Sequence, residues 1–576
     1  MLDFLPFGRK KTSNDPLGSL KAATSWMQEL PMGDTFSTHE EIVAALNEFN
    51  EKAEPPSKSR LLVLKHLDDG AQELQLSLTQ QYLLNPRMSR QIESRLWNAV
   101  FAFNWQMARG YHVFIMSYVG DPNNSEIRHE IPLITARAIR HFAMQAKWRY
   151  FRYEAIGTKL WKHVHNLYRL AEYEEFDRKA MLLYPKCPRE TSCAEEYLQL
   201  LSLDVLNTNS LFPKQIEMVD LWLDTWASTL KLEKAFDPER HVFCVSLNDE
   251  KGPRRVRKQA GDGMARYWGV DRLMARVDET RDALKHGETP PNLGLGEDCR
   301  LPVCLEFMER IAGQWSATSE RIHRRHERVA KVKMIDVVKD FREICGLVKQ
   351  DNDALSPKQL EEEQKPSWSY DEMQDVRLFG FVTQRTQSRA GEAGGRAQQG
   401  QTEQQHAHHE RWLMENESTN GFGATVDAAP NDWLRLGKLM GLKPESSPHW
   451  VIGVVRRLAL LESGQRNVGI EVLSQNQVTV TLKASKPRHS GYTVNGVDAL
   501  DIGKPVNALY LPANGDDKTG VSLLLDSVEY APGRHFELSA RSRSYSIALG
   551  KVIEKGDDWL RASFEILRKN TPSQGL

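Results

Sequence analysis

The feature that most constrains the fold is a change of texture after Glu410. Beyond it, apolar and polar residues alternate in short segments, 411–415, 421–426, 433–439, 450–458 and 467–473, separated by Asn-Gly, Pro and Ser-rich breaks. Alternation with period two puts every second side chain on one face, and closely spaced breaks fold the chain back on itself. A small antiparallel barrel or sandwich is predicted. Further segments at 478–483, 508–511, 521–525, 535–539, 545–552 and 559–566 suffice for a second barrel of similar size.

The front half reads differently. Ser37-Thr38 before His39-Glu40-Glu41 has the form of a helix N-cap with first-turn acids, followed by an apolar face of Ile42, Val43, Leu46 and Phe49. Leu96, Val100, Phe103 and Met107 recur at helical spacing, and helices are predicted over about 155–173, 194–206 and 214–232. The stretch 158–176 resembles one tetratricopeptide helix pair, but no fixed period repeats it. An all-α bundle or solenoid over 1–315 is expected, offering surface to a protein partner. The polar stretches 345–370 and 390–409 read as linker or long loop. The expected fold class is thus α+β multidomain: helical front, barrel over 319–475 with a long insertion at about 345–410, and a second barrel-like domain over 476–570.

A chain of 576 residues exceeds one hydrophobic core, so several domains are expected. The formal net charge of -1 provides no global field toward nucleic acid or an anionic membrane. No window approaches the roughly 18 apolar residues that a membrane helix needs, and the opening MLDFLPFGRKK reverses the charge order of a signal peptide. A cytoplasmic protein without membrane insertion is expected. The six cysteines form no CxxC pair, so buried reduced thiols are expected for most and no metal is assigned. His163 and His165, two apart on a predicted helix, do not share a face. The basic cluster Arg254, Arg255, Arg257, Lys258 reads as a solvated loop. The sequence has no nucleophile elbow, P-loop, HExxH or dinucleotide fingerprint, and no enzyme is predicted.

The residues that carry chemistry lie in Trp412-Leu-Met-Glu-Asn416-Glu-Ser418-Thr-Asn-Gly421-Phe-Gly423. One strand ends at a polar turn and another begins. Asn416 and Ser418 have side chains that bond backbone or ligand, and Gly421 permits positive φ or close approach. This stretch resembles the PilZ family of cyclic di-GMP receptors, whose motif is Asp/Asn-x-Ser-x-x-Gly. The residues from Trp433 to Leu439 resemble that family's next strand, and those after Trp450 and Val468 its closing hairpin. The resemblance covers about 410–475 and implies a cyclic di-GMP ligand, no other cofactor, and a regulatory role.

The family's second motif is Arg-x-x-x-Arg before the first barrel strand. Its forks match guanine O6/N7 and phosphate bidentately, which lysine does not reproduce. In the run Arg321, Arg324, Arg325, Arg328 both Arg321/Arg325 and Arg324/Arg328 satisfy the spacing, and an alternating segment at 329–338 follows. Arg324 with Arg328 is the favoured register. Residues 318–345 also fit a helix, in which the arginines mark one solvated face. Arg385/Arg389 is the competing pair, nearer to Asn416 in sequence but after its apolar segment instead of before it. The implied ligand set is Arg324, Arg325, Arg328, Asn416, Ser418 and Gly421. The alternative is a ligand-independent scaffold with a degenerate barrel. The second barrel has neither motif, which suits a structural or dimer-making copy.

Overall fold

A computed structural model describes residues 15–318, 329–354, 409–485, 505–513 and 520–570, apart from short gaps at 32, 53, 86–87, 124, 188, 257–262, 297–298, 419, 430, 432, 446 and 541–542. The chain divides into two compact units, 1–322 and 323–576.

In the first unit the helices are α1 (Leu20–Glu29), α2 (Thr35–Glu51), α3 (Lys58–Leu84), α4 (Arg90–Gly120), α5 (Ser125–Arg128), α6 (Ile131–Phe151), α7 (Thr158–Tyr173), α8 (Cys193–Asp204), α9 (Pro213–Trp226), α10 (Asp271–Lys285) and α11 (Val303–Trp315). The front is not wholly helical. Strands β1 (Met181–Leu182) and β2 (Glu190–Thr191) pair, and β3 (Phe243–Ser246) lies between β4 (Arg254–Arg255) and β5 (Ala265–Trp268). These runs of two to four residues are too short to show a period. Helix α2 begins earlier than expected because Asp34 is the cap: its Oδ1 accepts from the backbone N–H of Phe36 and Ser37, both at 3.1 Å. The tetratricopeptide-like stretch is one helix, α7, not a pair.

A large buried core runs through this unit, and a group of polar side chains inside it is paired internally. Asp68 accepts from Tyr111 Oη at 2.8 Å and lies 3.3 Å from Arg137 Nη1 and 3.2 Å from His141 Nε2. Burial alone would raise the Asp68 pKa, but His141 and Arg137 outweigh it and hold the carboxyl below its ordinary value. Cys299 and Cys304 are joined by a disulfide; Cys187, Cys193, Cys244 and Cys345, most of the six, are free thiols as expected. His165 hydrogen-bonds Tyr197 Oη and the Lys251 carbonyl, while His163 stacks on Phe142. Arg255 of the basic cluster is structural: it donates to the Gln314 and Ser316 carbonyls and packs over Phe243.

The second unit holds two closed antiparallel barrels. The first comprises β6 (Val329–Val338), β7 (Glu410–Ser418), β8 (Gly421–Asp427), β9 (Leu439–Pro444), β10 (Val451–Leu460) and β11 (Gln465–Ser474), in the order β10-β11-β8-β7-β6-β9. The second comprises β12 (Val478–Ala484), β13 (Val506–Leu511), β14 (Ser522–Asp526), β15 (His535–Ala540), β16 (Arg543–Lys555) and β17 (Trp559–Asn570), in the order β12-β13-β14-β17-β16-β15.

Two expectations are corrected here. Residues 433–438 are loop, and the strand starts at Leu439. The misleading alternation came from Leu434 and Leu436, which are buried without being in a strand, in a loop whose Asn431 and Leu434 carbonyls accept from Arg466. The stretch 345–370 is not all linker: helix α12 (Phe341–Ala354) buries Phe341, Ile344, Cys345 and Val348 at helical spacing.

The first unit carries a titratable device that its sequence hid. His39 is buried on α2 beside Gln75, and burial pushes its pKa down to about 4 from 6.5. As pH falls from 6.5 toward 4 the unfolded chain takes up a proton that the folded chain refuses. Stability is therefore full above 6.5 and lost through that window. Denaturant unfolding followed by helical circular dichroism should lose roughly 2 to 3 kcal/mol more in wild type than in His39→Gln between pH 7.5 and 4.5. Identical pH slopes for the two proteins would contradict this assignment.

Candidate functional site

Strands β7 and β8 form a hairpin joined by residues 419 and 420. Ser418 pairs with Gly421, Glu417 with Phe422 and Asn416 with Gly423. A register shift between Met414 and Asn416 leaves Glu415 unpaired as a bulge. Trp412 and Met414 point into the barrel, and without the bulge Asn416 would follow them. With it, Asn416 stands opposite Gly423, between Phe422 and Ala424, whose side chains are buried in the barrel. Asn416 and Ser418 therefore both face outward, on the same wall.

The turn is held by short-range bonds. Ser418 Oγ donates to the Gly421 carbonyl at 3.3 Å, and the Val472 N–H of β11 donates to the Asn420 carbonyl at 3.0 Å. Gly421 does not have the positive φ that the sequence left open. It is required for close approach instead: a Cβ there would lie 2.5 Å from the Ile470 carbonyl oxygen. The neighbour it accommodates is a backbone strand of the barrel.

The described part of β6 reaches this hairpin. Val329 pairs with Glu417 and Ala330 with Asn416, and the opposite edge of β6 pairs with β9. The strand reading of 329–338 thus holds over the helical alternative. Arg321, Arg324, Arg325, Arg328, Arg385 and Arg389 lie outside the described residues; in the sequence Arg328 directly precedes Val329. The next strands of the wall, β10 and β11, were expected from the sequence, but no site residue was assigned on them. Arg456 of β10 binds Glu471 at 2.7 Å through Nε and meets Glu554 of the second barrel through Nη1. Burial disfavours its charge, but Glu554 and Glu471 together raise its pKa. Glu471 in turn pairs with Gly421 across β8 and β11. Among the described residues no cluster of metal-ligating side chains occurs, and no helix is long and apolar enough to cross a membrane. A cavity of about 530 Å³ lies in the helical unit, lined by Gln75, Asn104, His141 and Tyr184 among others, and includes none of the motif residues.

Gly421→Ala should destabilise the barrel by roughly 1 to 3 kcal/mol, because the added methyl meets backbone that has nowhere to move. Ser418→Ala removes one long, half-buried hydrogen bond and should cost at most about 1 kcal/mol. Thermal unfolding of the two variants checks the order, and an unchanged midpoint for Gly421→Ala contradicts the close-approach account.

The comparisons with known proteins fall on both units. A model described as "Cyclic-di-GMP receptor FimW, N-terminal domain" matches residues 21–239, and one described as "Cyclic-di-GMP receptor FimW, middle PilZ domain" matches residues 339–478. A relative named cyclic-di-GMP receptor FimW, from Pseudomonas aeruginosa, is 22% identical over 477 residues, which covers 78% of this chain and 76% of the relative. No solved structure matches. The outward Asn-x-Ser-x-x-Gly hairpin and strands β7 to β11 of the six-stranded barrel fall within the 339–478 match, which identifies this as a PilZ-domain chain.

Proposed function

We propose that this protein is a cyclic di-GMP-binding regulator, in which the first barrel senses the dinucleotide through Asn416, Ser418 and Gly421 together with Arg324, Arg325 and Arg328. The observation that carries the reading is the pairing of Val329 with Glu417. Consecutive Cα atoms are about 3.8 Å apart, so a residue one step before Val329 in sequence is one step from the hairpin that bears Asn416 and Ser418. That favours the run ending at Arg328 over Arg385/Arg389. The chemistry suits the ligand: guanidinium forks take guanine O6/N7 or phosphate oxygens in pairs, and outward amide and hydroxyl groups complete the polar edge. The similarity to a protein named a cyclic-di-GMP receptor supports the same ligand.

The reading has a finer part. Ligand would draw the arginines and the hairpin together, and the helical unit would carry the output to a protein partner in the cytoplasm. No catalytic step is involved.

Calorimetry on the full chain tests the proposal. Wild type should bind cyclic di-GMP with micromolar or better affinity, and Arg324→Ala, Arg328→Ala and Ser418→Ala should each weaken it by roughly tenfold or more. No heat and no thermal shift at about 100 μM ligand would end the receptor reading and leave the ligand-independent scaffold. Loss of binding in Arg385→Ala alone would move the arginine half of the site to the other pair.

A further inference from the structure

A row of backbone pairs crosses the outer wall of the first barrel. Arg457 of β10 pairs with Gly469 of β11, Gly469 with Gly423 of β8, and Gly423 with Asn416 of β7. Residues directly opposite across antiparallel strands project to the same face. The flanking residues Leu458, Val468, Ile470, Phe422 and Ala424 are buried in the barrel, so the row itself faces outward. Arg457 and Asn416 thus share one wall, with only glycines between them.

The glycines leave room for these two side chains. A Cβ on Gly423 would lie 2.6 Å from Asn416 Oδ1, and one on Gly469 would lie 3.2 Å from Arg457 Cβ and 3.3 Å from its Nε. The Asn416 amide crosses Gly423 and the Arg457 side chain crosses Gly469, on neighbouring strands. One pair further along the same wall stand Ser418 and Gly421.

The two adjacent arginines of β10 differ in what they hold. Arg456 is paired with Glu471 and Glu554. Arg457 is half-buried, and among the described residues no carboxylate or carbonyl accepts from it. A guanidinium has five donors and no acceptor, and leaving it partly desolvated without acceptors costs free energy. Beside an outward asparagine and serine, that arrangement is suited to acceptors arriving from outside the chain.

We infer that Arg457 is a further ligand-binding residue, which gives its guanidinium fork to a pair of acceptor atoms on the dinucleotide, from the β10 side of the wall. The inference rests on the cyclic di-GMP reading above. It adds a binding residue outside both sequence motifs, contributed by the closing hairpin.

Calorimetry with cyclic di-GMP on the full chain separates the two claims. Arg457→Ala should weaken binding by roughly tenfold to a hundredfold, as expected for losing a charge-assisted pair of hydrogen bonds. Arg457→Lys keeps the stem and the charge but not the fork, and should recover only a small part of the affinity. The thermal midpoint without ligand should stay near that of wild type in both variants, since Arg457 anchors no described partner. Wild-type affinity in Arg457→Ala or in Arg457→Lys overturns the fork contact while the receptor reading stands. A large fall of the unliganded midpoint in both variants makes Arg457 a structural residue and overturns it too. Absence of binding in wild type removes both claims together.

Discussion

Closure of the first barrel by strand β6 is the constraint on which the site depends. This strand hydrogen-bonds on one edge to β7 and on the other to β9. Without it both neighbours would present unpaired edges, which sheets avoid. The same pairing carries the chain from the segment before Val329 to the hairpin at Ser418. At its far end Asp340 caps α12 by accepting from the backbone N–H of Arg342 and Glu343, at 2.9 and 3.0 Å. The helix then folds Ile344, Cys345 and Val348 into the core against Leu439, Trp450 and Ile452. One strand therefore fixes both the rim that bears Asn416 and Ser418 and the helix packed on the barrel.

The spacing of the Asn-x-Ser-x-x-Gly motif has a geometric meaning in this frame. Residues i and i+2 of a strand share a face, which aligns Asn416 with Ser418. The glycine three positions on is the partner of Ser418 across a two-residue turn. The bulge at Glu415 turns the aligned pair outward instead of into the core. The Ile470 carbonyl then demands a residue without Cβ at position 421. Each constraint is local, so a six-residue pattern can specify the hairpin without specifying the rest of the wall.

Legibility followed how local each feature was. The strands of both barrels were readable because alternation survives in single strands: β8 was expected at 421–426 and spans Gly421–Asp427. The hairpin itself was readable for the same reason, but its outward facing was not, because it depends on the bulge at Glu415. Features set by distant partners were not. Leu434 and Leu436 mimicked a strand because a loop can bury leucines when Arg466 takes its carbonyls. Helix α12 was hidden by its polar exposed face, although Phe341, Ile344, Cys345 and Val348 carry the period. The cap of α2 was assigned to Ser37 and Thr38, whereas Asp34 caps the helix a turn earlier by accepting from the N–H of Phe36 and Ser37. Arg457 was passed over because its relation to Asn416 runs through three strand pairings, none visible along the chain.

The second barrel has no motif, and its contribution is packing. Leu509, Leu511, Leu524 and Trp559 share one core cluster with Val338, Leu439 and Trp450 of the first barrel and with α12. Trp559 Nε1 donates to the Gly437 carbonyl at 2.9 Å, and Gly437 itself sits at φ +74°. Lys438 then binds Asp558 at 2.5 Å, and Arg456 reaches Glu554. These contacts fix the loop that feeds β9 and the strand β10, the two elements that complete the wall beyond β6 and β11. A boundary drawn by sequence between residues 475 and 476 cuts through a shared core. In such a core, truncating the second barrel would expose Trp450 and Val338 to water, and burial of side chains of that size contributes about 1.5 to 3 kcal/mol each. The motif-less barrel is thus part of what keeps the wall that bears Asn416 and Arg457 in register.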